Sequence, residues 1–296
     1  MYLVSAIITT HKREPETVER ALKSIVSQSY KNIEIIVVDD SPSDYCLRNE
    51  VKLMVEKYID SNIQYVQHET CQGACVARNT GLELAKGEFI GFLDDDDEWK
   101  FDKIEKQVKG FVNDSVALVY CGSEVMDDVN GHVHSRDTKF KDGNVYEELI
   151  VSNFIGSTSF PLIRTEALRQ IGGFDVLMQS AQDYDVWLRL ALEHEINYVE
   201  DALVRYHVHG GDQITKDPVK KINGLERLNQ KNEDYLKKHR KARYIRQIKI
   251  APFYAQNGQK GRAFKIWAKS AFICPLKVKM NLEYLYKILR AYKSKI

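Results

Sequence analysis

Short apolar runs that end in polar or acidic residues recur through the first hundred residues, and each is followed by a stretch with apolar residues at helical spacing. Val4-Ser5-Ala6-Ile7-Ile8 ends at Thr9-Thr10-His11-Lys12-Arg13, and Glu14-Pro15-Glu16 then opens a helix, as proline and acidic residues do at a first turn. Val18, Ala21, Leu22, Ile25 and Val26 give that helix one apolar face. A second strand at 33–38 closes on Asp39 and Asp40, and Leu47, Val51, Met54, Val55 and Tyr58 mark a second helix. A third strand is expected at 63–67. Gly73 precedes a helical stretch at 74–85, for which Gly87 is the expected C-cap. The run from Phe89 to Leu93 is then a buried strand that ends in four consecutive carboxylates, Asp94, Asp95, Asp96 and Asp97. Strands alternating with helices of this length predict a parallel sheet covered on both faces.

In a right-handed wound sheet the first three strands step one way and the fourth returns beside the first. Residues 9–13, Asp39 and Asp94 to Asp97 then share one rim of a nucleotide-sized crevice. Four adjacent carboxylates cannot be buried unpaired, so they must meet water, cationic side chains or a metal ion. A solvated acidic loop is the plain alternative. The attachment to a core strand favours a metal, and oxygen-only ligands suit magnesium or manganese. Neither G-x-G-x-x-G nor G-x-x-x-x-G-K-[ST] occurs, which argues against NAD and Walker-type ATP chemistry.

After Trp99 the alternation continues with a helix carrying Phe101, Ile104, Val108 and Phe111 and a fifth strand at 117–120, and then breaks. Asn130-Gly131 signals a hairpin within 125–133. A strand at 161–164 leads into a short helix at Thr165-Glu166 that Gly172-Gly173 stops. An amphipathic helix at 182–191 carries Asp183 and Asp185 in its first turn, where acids also serve as plain caps. A last strand at 202–208 carries His207 and leads to His209 and Gly210-Gly211.

The 296 residues include 44% apolar residues, enough for a full core, and no run approaches the ~18 apolar residues of a membrane span. The chain enters a strand directly, without a signal peptide, so a cytoplasmic location is expected. Five scattered cysteines without zinc-type pairs fit reduced thiols. The net charge of +1 hides an asymmetry. Residues 216–296 hold 22 Lys or Arg against 5 Asp or Glu, leaving 21 against 37 in residues 1–215. An acidic domain at 1–215 and a basic helical extension at 216–296 follow, with helices expected at 222–238, 242–257, 260–271 and 276–293. Such a tail faces something anionic, either nucleic acid, the acidic body itself or a membrane leaflet. The spacing Ala251-x-x-Tyr254-Ala255-x-x-Gly258-x-x-Gly261-x-Ala263-x-x-Ile266 resembles one tetratricopeptide-like helical hairpin, which cannot bury its own face alone.

With these residues in view, 4–215 resembles a family 2 glycosyltransferase of the GT-A fold, the inverting kind found in bacterial polysaccharide and glycolipid synthesis. The segments that carry the likeness are Val4-Ser5-Ala6-Ile7-Ile8-Thr9-Thr10, Val37-Val38-Asp39-Asp40-Ser41 and Ala77-Arg78-Asn79-Thr80-Gly81. Phe92-Leu93-Asp94-Asp95-Asp96-Asp97-Glu98-Trp99, Ile171-Gly172-Gly173-Phe174-Asp175 and Asp183-Tyr184-Asp185-Val186-Trp187-Leu188-Arg189 follow in order. The resemblance implies an α/β GT-A fold, Rossmann-like, with a mostly parallel sheet, helices on both faces and a C-terminal helical extension.

It also implies roles. Asp94 and Asp96 form a D-x-D that holds Mn2+ or Mg2+ against a nucleotide-sugar diphosphate, with His209, or less so His207, as the late histidine near the metal. Thr9, Arg13, Asp39, Arg78, Asp94 and Asp95 line the nucleotide sugar, expected to be a UDP-sugar, and Asp39 accepts from uracil or ribose. Asp183 is the general base for an acceptor hydroxyl on a glycan or lipid-linked acceptor, with Asp185 as fallback. About 200° apart on one helix, only one of the two can face the donor. Gln182 stands where many relatives carry Glu, and Gly156-Ser157-Thr158 where they line the acceptor pocket, a plain turn being the alternative. The first rival is a sugar-phosphate nucleotidyltransferase, but its Gly-rich loop after strand one is missing, since 9–15 contain no glycine. The second is a non-catalytic sugar or nucleic-acid binder, for which the tail lacks a motif. Peripheral contact with the inner face of the membrane through the basic tail is expected, and no nucleic-acid partner.

Overall fold

A computed structural model describes residues 1–58, 62–136, 138–208 and 217–293, and the chain divides into two units. One comprises Met1–Tyr146, Asn153–Val176 and Val186–Gly210. The other takes Glu147–Ser152, Leu177–Asp185 and Gly211–Ile296, so two short segments from before residue 215 group with the tail.

The first unit opens as the alternation predicts: β1 (Val4–Thr10), α1 (Pro15–Val26), β2 (Ile33–Asp39), α2 (Arg48–Glu56), β3 (Ile63–Gln67), α3 (Ala74–Leu84) and β4 (Phe89–Asp94). These strands are parallel in the order β3-β2-β1-β4, with the reversal of winding between β1 and β4. Ala6, Ile7, Ile8, Val37 and Val38 are enclosed, because helices cover both faces and the strands need continuous apolar runs. Each such valine or isoleucine contributes about 1.5–3 kcal/mol by burial.

Beyond β4 lie β5 (Glu98–Trp99), α4 (Lys103–Lys109), β6 (Val116–Asp127), β7 (Val133–Ser135), α5 (Tyr146–Leu149), β8 (Leu162–Arg164), α6 (Thr165–Gln170), α7 (Gln182–Glu193) and β9 (Glu195–Val208). The sheet continues β4-β8-β6-β9-β5, with β7 paired to β6. Here the pairings are antiparallel except β6 with β9, so the parallel character belongs to the first four strands. The Asn130-Gly131 hairpin is present, with Gly131 at φ 70° and its amide on the Asp127 carbonyl.

Gly87 is not the cap of α3, whose C-cap is Ala85 in extended backbone. Its amide donates to Ser5 Oγ at 2.8 Å and Glu34 Oε1 at 3.1 Å, and a Cβ there would lie 2.6 Å from the Ser5 nitrogen. Glycine is required by that close backbone approach.

The second unit contains α8 (Pro218–Lys231), α9 (Glu233–Lys238), α10 (Arg240–Gln256), α11 (Lys260–Ile273) and α12 (Val278–Lys293). Asp217 caps α8 by accepting from the Val219 and Lys220 amides, with Pro218 in the first turn. Asn232 interrupts the single helix expected at 222–238. Ala251, Tyr254, Ala255 and Ala263 of the hairpin spacing are buried with Ile222, Ile250 and Ile288. Among the described residues no helix is long and apolar enough to cross a membrane.

Candidate functional site

Register decides which residues meet. Thr10 pairs with Asp39 and Thr9 with Asp94, so the ends of β2, β1 and β4 form one rim, with Thr9 partly exposed on it. The chain leaves β1 through Lys12 at φ 51°, and the Lys12 amide donates to Ser41 Oγ at 2.8 Å. That turn presents Arg13 to the acidic run.

The four carboxylates differ in environment. Side-chain exposure is 28% for Asp94 and 19% for Asp96, against 8% for Asp95, and Asp97 is enclosed. Asp94 accepts from Arg78 at 2.8 Å and from the Ser157 and Thr158 hydroxyls at 3.0 Å each. Burial pushes its pKa up, but the Arg78 charge and these donors outweigh it and hold the carboxyl below its ordinary range. Asp95 takes Arg13 Nε at 2.9 Å, yet burial dominates and lifts it to about 6. Asp96 takes the other arm of Arg13 at 2.6 Å, and its carbonyl accepts from Arg20. Asp97 accepts from Ser159 Oγ at 2.6 Å and the His207 amide at 3.1 Å, and burial followed by the Asp94 and Asp96 charges raises it well above the usual carboxylate range. Ser159 Oγ in turn accepts the Asp94 amide. Asp94 and Asp96 are thus the outward oxygens of the run. Hard, anionic and two residues apart, they fit a divalent cation such as Mn2+ or Mg2+.

Asp39 is enclosed, its oxygens accepting the Ser41 amide and the Tyr65 hydroxyl at 2.8 Å each. Arg78 lies 5.5 Å from the Phe174 ring centroid. Asn79 bonds the Phe174 main chain at both its amide and carbonyl, 2.8 Å each, while Arg189 donates to the Ile171 and Gly173 carbonyls. A Cβ on Gly173 would meet Asn79 Oδ1 at 2.6 Å. The segments around Asn79, Gly173 and Arg189 therefore clasp one another.

His207 is engaged at both ring nitrogens, with Asp128 at 2.7 Å and Glu98 at 2.9 Å, and its pKa is raised chiefly by Glu98. It braces the acidic strand end through its amide. His209 lies outside the described residues. At the start of α7, Asp183 is partly exposed and accepts the Tyr184 amide at 2.7 Å. Asp185 is buried and paired with Lys231 at 2.6 Å, which makes it a structural ion pair rather than a fallback base. Ser157 and Thr158, expected at an acceptor pocket, donate their hydroxyls to Asp94. Ser159, Tyr65 and Arg20 carried no positional signal in the sequence beyond the hydroxyl run at 157–159.

The family profile described as Glycosyl transferase family 2 matches residues 5–172. The chain is 30% identical over 244 residues to the putative colanic acid biosynthesis glycosyl transferase WcaA of Escherichia coli, covering 78% of this chain and 82% of that one. It is 30% identical to the E. coli UDP-Glc:alpha-D-GlcNAc-diphosphoundecaprenol beta-1,3-glucosyltransferase WfgD, over 69% of this chain and 75% of that one. An uncharacterized glycosyltransferase of Rickettsia felis is 29% identical over 79% of this chain, which spans only 38% of that longer protein. Among solved structures, S. aureus TarS residues 1–349 in complex with UDP-GlcNAc shares the fold, with TM-score 0.63 and 18% identity over 98% of this chain and 89% of that one. Full motif order, fold and family profile agree, and the chain belongs to glycosyl transferase family 2.

Proposed function

We propose that this chain is a metal-dependent inverting glycosyltransferase that moves a sugar from a nucleotide sugar, most simply a UDP-sugar, to a hydroxyl of a glycan or lipid-linked acceptor in cell-surface polysaccharide synthesis. The observation that carries the reading is the outward-inward alternation of Asp94 to Asp97 at the winding reversal, with Arg13 and Arg78 already on the outward pair. The names of WfgD and WcaA support the donor and the pathway class.

In this reading Thr9, Arg13, Asp39, Arg78 and Asp95 line the nucleotide sugar. Asp94 and Asp96 would hold Mn2+ or Mg2+, which when bound offsets the negative charge that grows on the departing diphosphate. Asp183 accepts the proton of the acceptor hydroxyl as that oxygen attacks the anomeric carbon from the face opposite the nucleotide, which inverts the stereochemistry. Arg13 and Arg78 keep the two outward carboxylates oriented.

Calorimetric titration of UDP in Mn2+ tests this. Binding is expected to vanish in EDTA and in Asp96→Ala, while Asp183→Asn keeps UDP binding and loses sugar transfer by roughly 10²–10⁴-fold. UDP binding indifferent to both EDTA and Asp96→Ala would refute the donor site.

The second unit favours an anionic membrane surface as a further partner, consistent with a cytoplasmic enzyme working at the inner face. Residues 260–293 carry nine Lys or Arg against one Glu. At the α11–α12 turn Phe272 and Leu276 are 86% and 94% exposed, and Val278, Leu282, Tyr286 and Leu289 line an exposed stripe of α12. Apolar side chains rimmed by lysines suit insertion among anionic headgroups. Phe272→Ser with Leu276→Ser should abolish sedimentation with phosphatidylglycerol vesicles; unchanged sedimentation would exclude this tip.

A further inference from the structure

The ends of β1, β2 and β3 bring together three residues far apart in sequence. His11 follows β1, Asp40 follows β2, and Cys71 lies in the loop between β3 and α3. We propose that His11, Asp40 and Cys71 form a site for a thiophilic divalent cation, Zn2+, distinct from the oxygen-only pair Asp94 and Asp96.

One ligand atom from each residue, a ring nitrogen, a carboxylate oxygen and the sulfur, lies within 4.8 Å of the others. Cys71 Sγ stands 3.8 Å from His11 Nδ1 and 3.4 Å from Asp40 Oδ2. With Zn–S near 2.3 Å and Zn–N or Zn–O near 2.0–2.1 Å, the S–N and S–O edges of a tetrahedron are each about 3.5 Å. The sulfur–carboxylate edge already matches, and closing on the ion requires the His11 ring to leave the Asp40 carbonyl and turn Nδ1 toward the sulfur and the carboxylate.

The carboxylate is held for the task. Asp40 is buried, and its oxygens accept the Gln72 amide at 2.8 Å, the Gly73 amide at 2.7 Å and His68 Nδ1 at 2.7 Å. Thr80 bonds the far nitrogen of His68 at 3.0 Å and fixes that ring. Such outer bonds orient metal ligands. His11 and Cys71 are exposed, so an ion enters from solvent and a water completes the fourth position.

Charge and protons balance. His11 Nδ1–H donates to the Asp40 carbonyl at 2.9 Å, and the Cys71 thiol donates to Asp40 Oδ2. On binding, the thiol proton leaves to solvent and the imidazole proton moves to Nε2. A dication, a thiolate, a carboxylate and a neutral imidazole then sum to zero. Mixed sulfur, nitrogen and oxygen donors select zinc over magnesium and manganese, so the two sites sort metals by ligand softness. An ion here ties the β1 exit loop, which carries Arg13, to the loop before α3.

Cobalt reports the site directly, because a Co2+–thiolate bond adds a charge-transfer band in the near ultraviolet. Titrating the full chain with Co2+ should give a band that saturates at one ion per chain and that Zn2+ displaces. Cys71→Ser should abolish it, and His11→Ala should lower Zn2+ affinity by roughly 100-fold or more. Cys46→Ser and Asp96→Ala should leave it intact, the latter separating this site from the proposed donor site. Zn2+ should also raise the melting temperature of the wild type and leave that of Cys71→Ser unchanged. Absence of a band in the folded wild type, or its survival in Cys71→Ser, would overturn the proposal.

Discussion

The two halves of the sheet contribute to the rim in different ways. The parallel half, β3-β2-β1-β4, supplies the residues themselves, since Thr9, Arg13, Asp39 and Asp94 to Asp96 all stand at or just past its strand ends. The mixed half supplies their condition. Ser157, Thr158 and Ser159, which precede β8, and His207 in β9 determine which carboxylates are bonded, buried or raised in pKa. The parallel half thus places chemistry by local order, and the mixed half tunes it by long-range hydrogen bonds.

The largest test of that division is Gly87→Val. Its side chain would collide with the Ser5 nitrogen and the Leu3 carbonyl, both backbone atoms of the parallel half. We expect a loss of about 3 kcal/mol in urea unfolding; a loss under about 1 kcal/mol would mean that the strand start yields easily. Ser159→Ala should cost less, about 1–3 kcal/mol, because Asp97 keeps the His207 amide. It should nevertheless weaken the proposed Mn2+-dependent UDP binding by roughly 10-fold. If stability falls and binding does not, the mixed half supports the fold without tuning the rim.

A test of comparable size, and sharper in form, is the pH dependence of Asp95. Its folded pKa is about 6 against an ordinary 3.8. Between those values the unfolded chain sheds the proton while the folded chain keeps it. The stability tied to this group is therefore full below about 3.8 and is lost as pH rises to about 6. In EDTA the stability of the wild type relative to Asp95→Asn should fall across that window by up to about 3 kcal/mol. A flat difference would show that Arg13 cancels the burial of Asp95.

The same contrast explains what could be read before any fold was known. Residues 63–67 are a strand as expected and α3 begins at Ala74, because apolar periodicity and glycine positions act within a few residues. The two-residue β5 and the lengthening of β9 back to Glu195 carried no such signal, since their partners lie on β9 and β6. The acids at 183 and 185 are ranked only by resemblance, not by any local physical signal. Lys231, 46 positions further on, gives Asp185 a buried ion pair that no local pattern announces.

What the sequence determined alone is the order β3-β2-β1-β4, the rim at the reversal and the helical tail, because each follows from local pattern and from the handedness of crossover connections. Tertiary structure alone decided which of four identical carboxylates face outward, which hydroxyls hold them, and that His11, Asp40 and Cys71 meet. Those outcomes depend on distances between atoms that are dozens of residues apart along the chain, and burial, hydrogen bonding and metal geometry act on distance in space rather than on position in sequence.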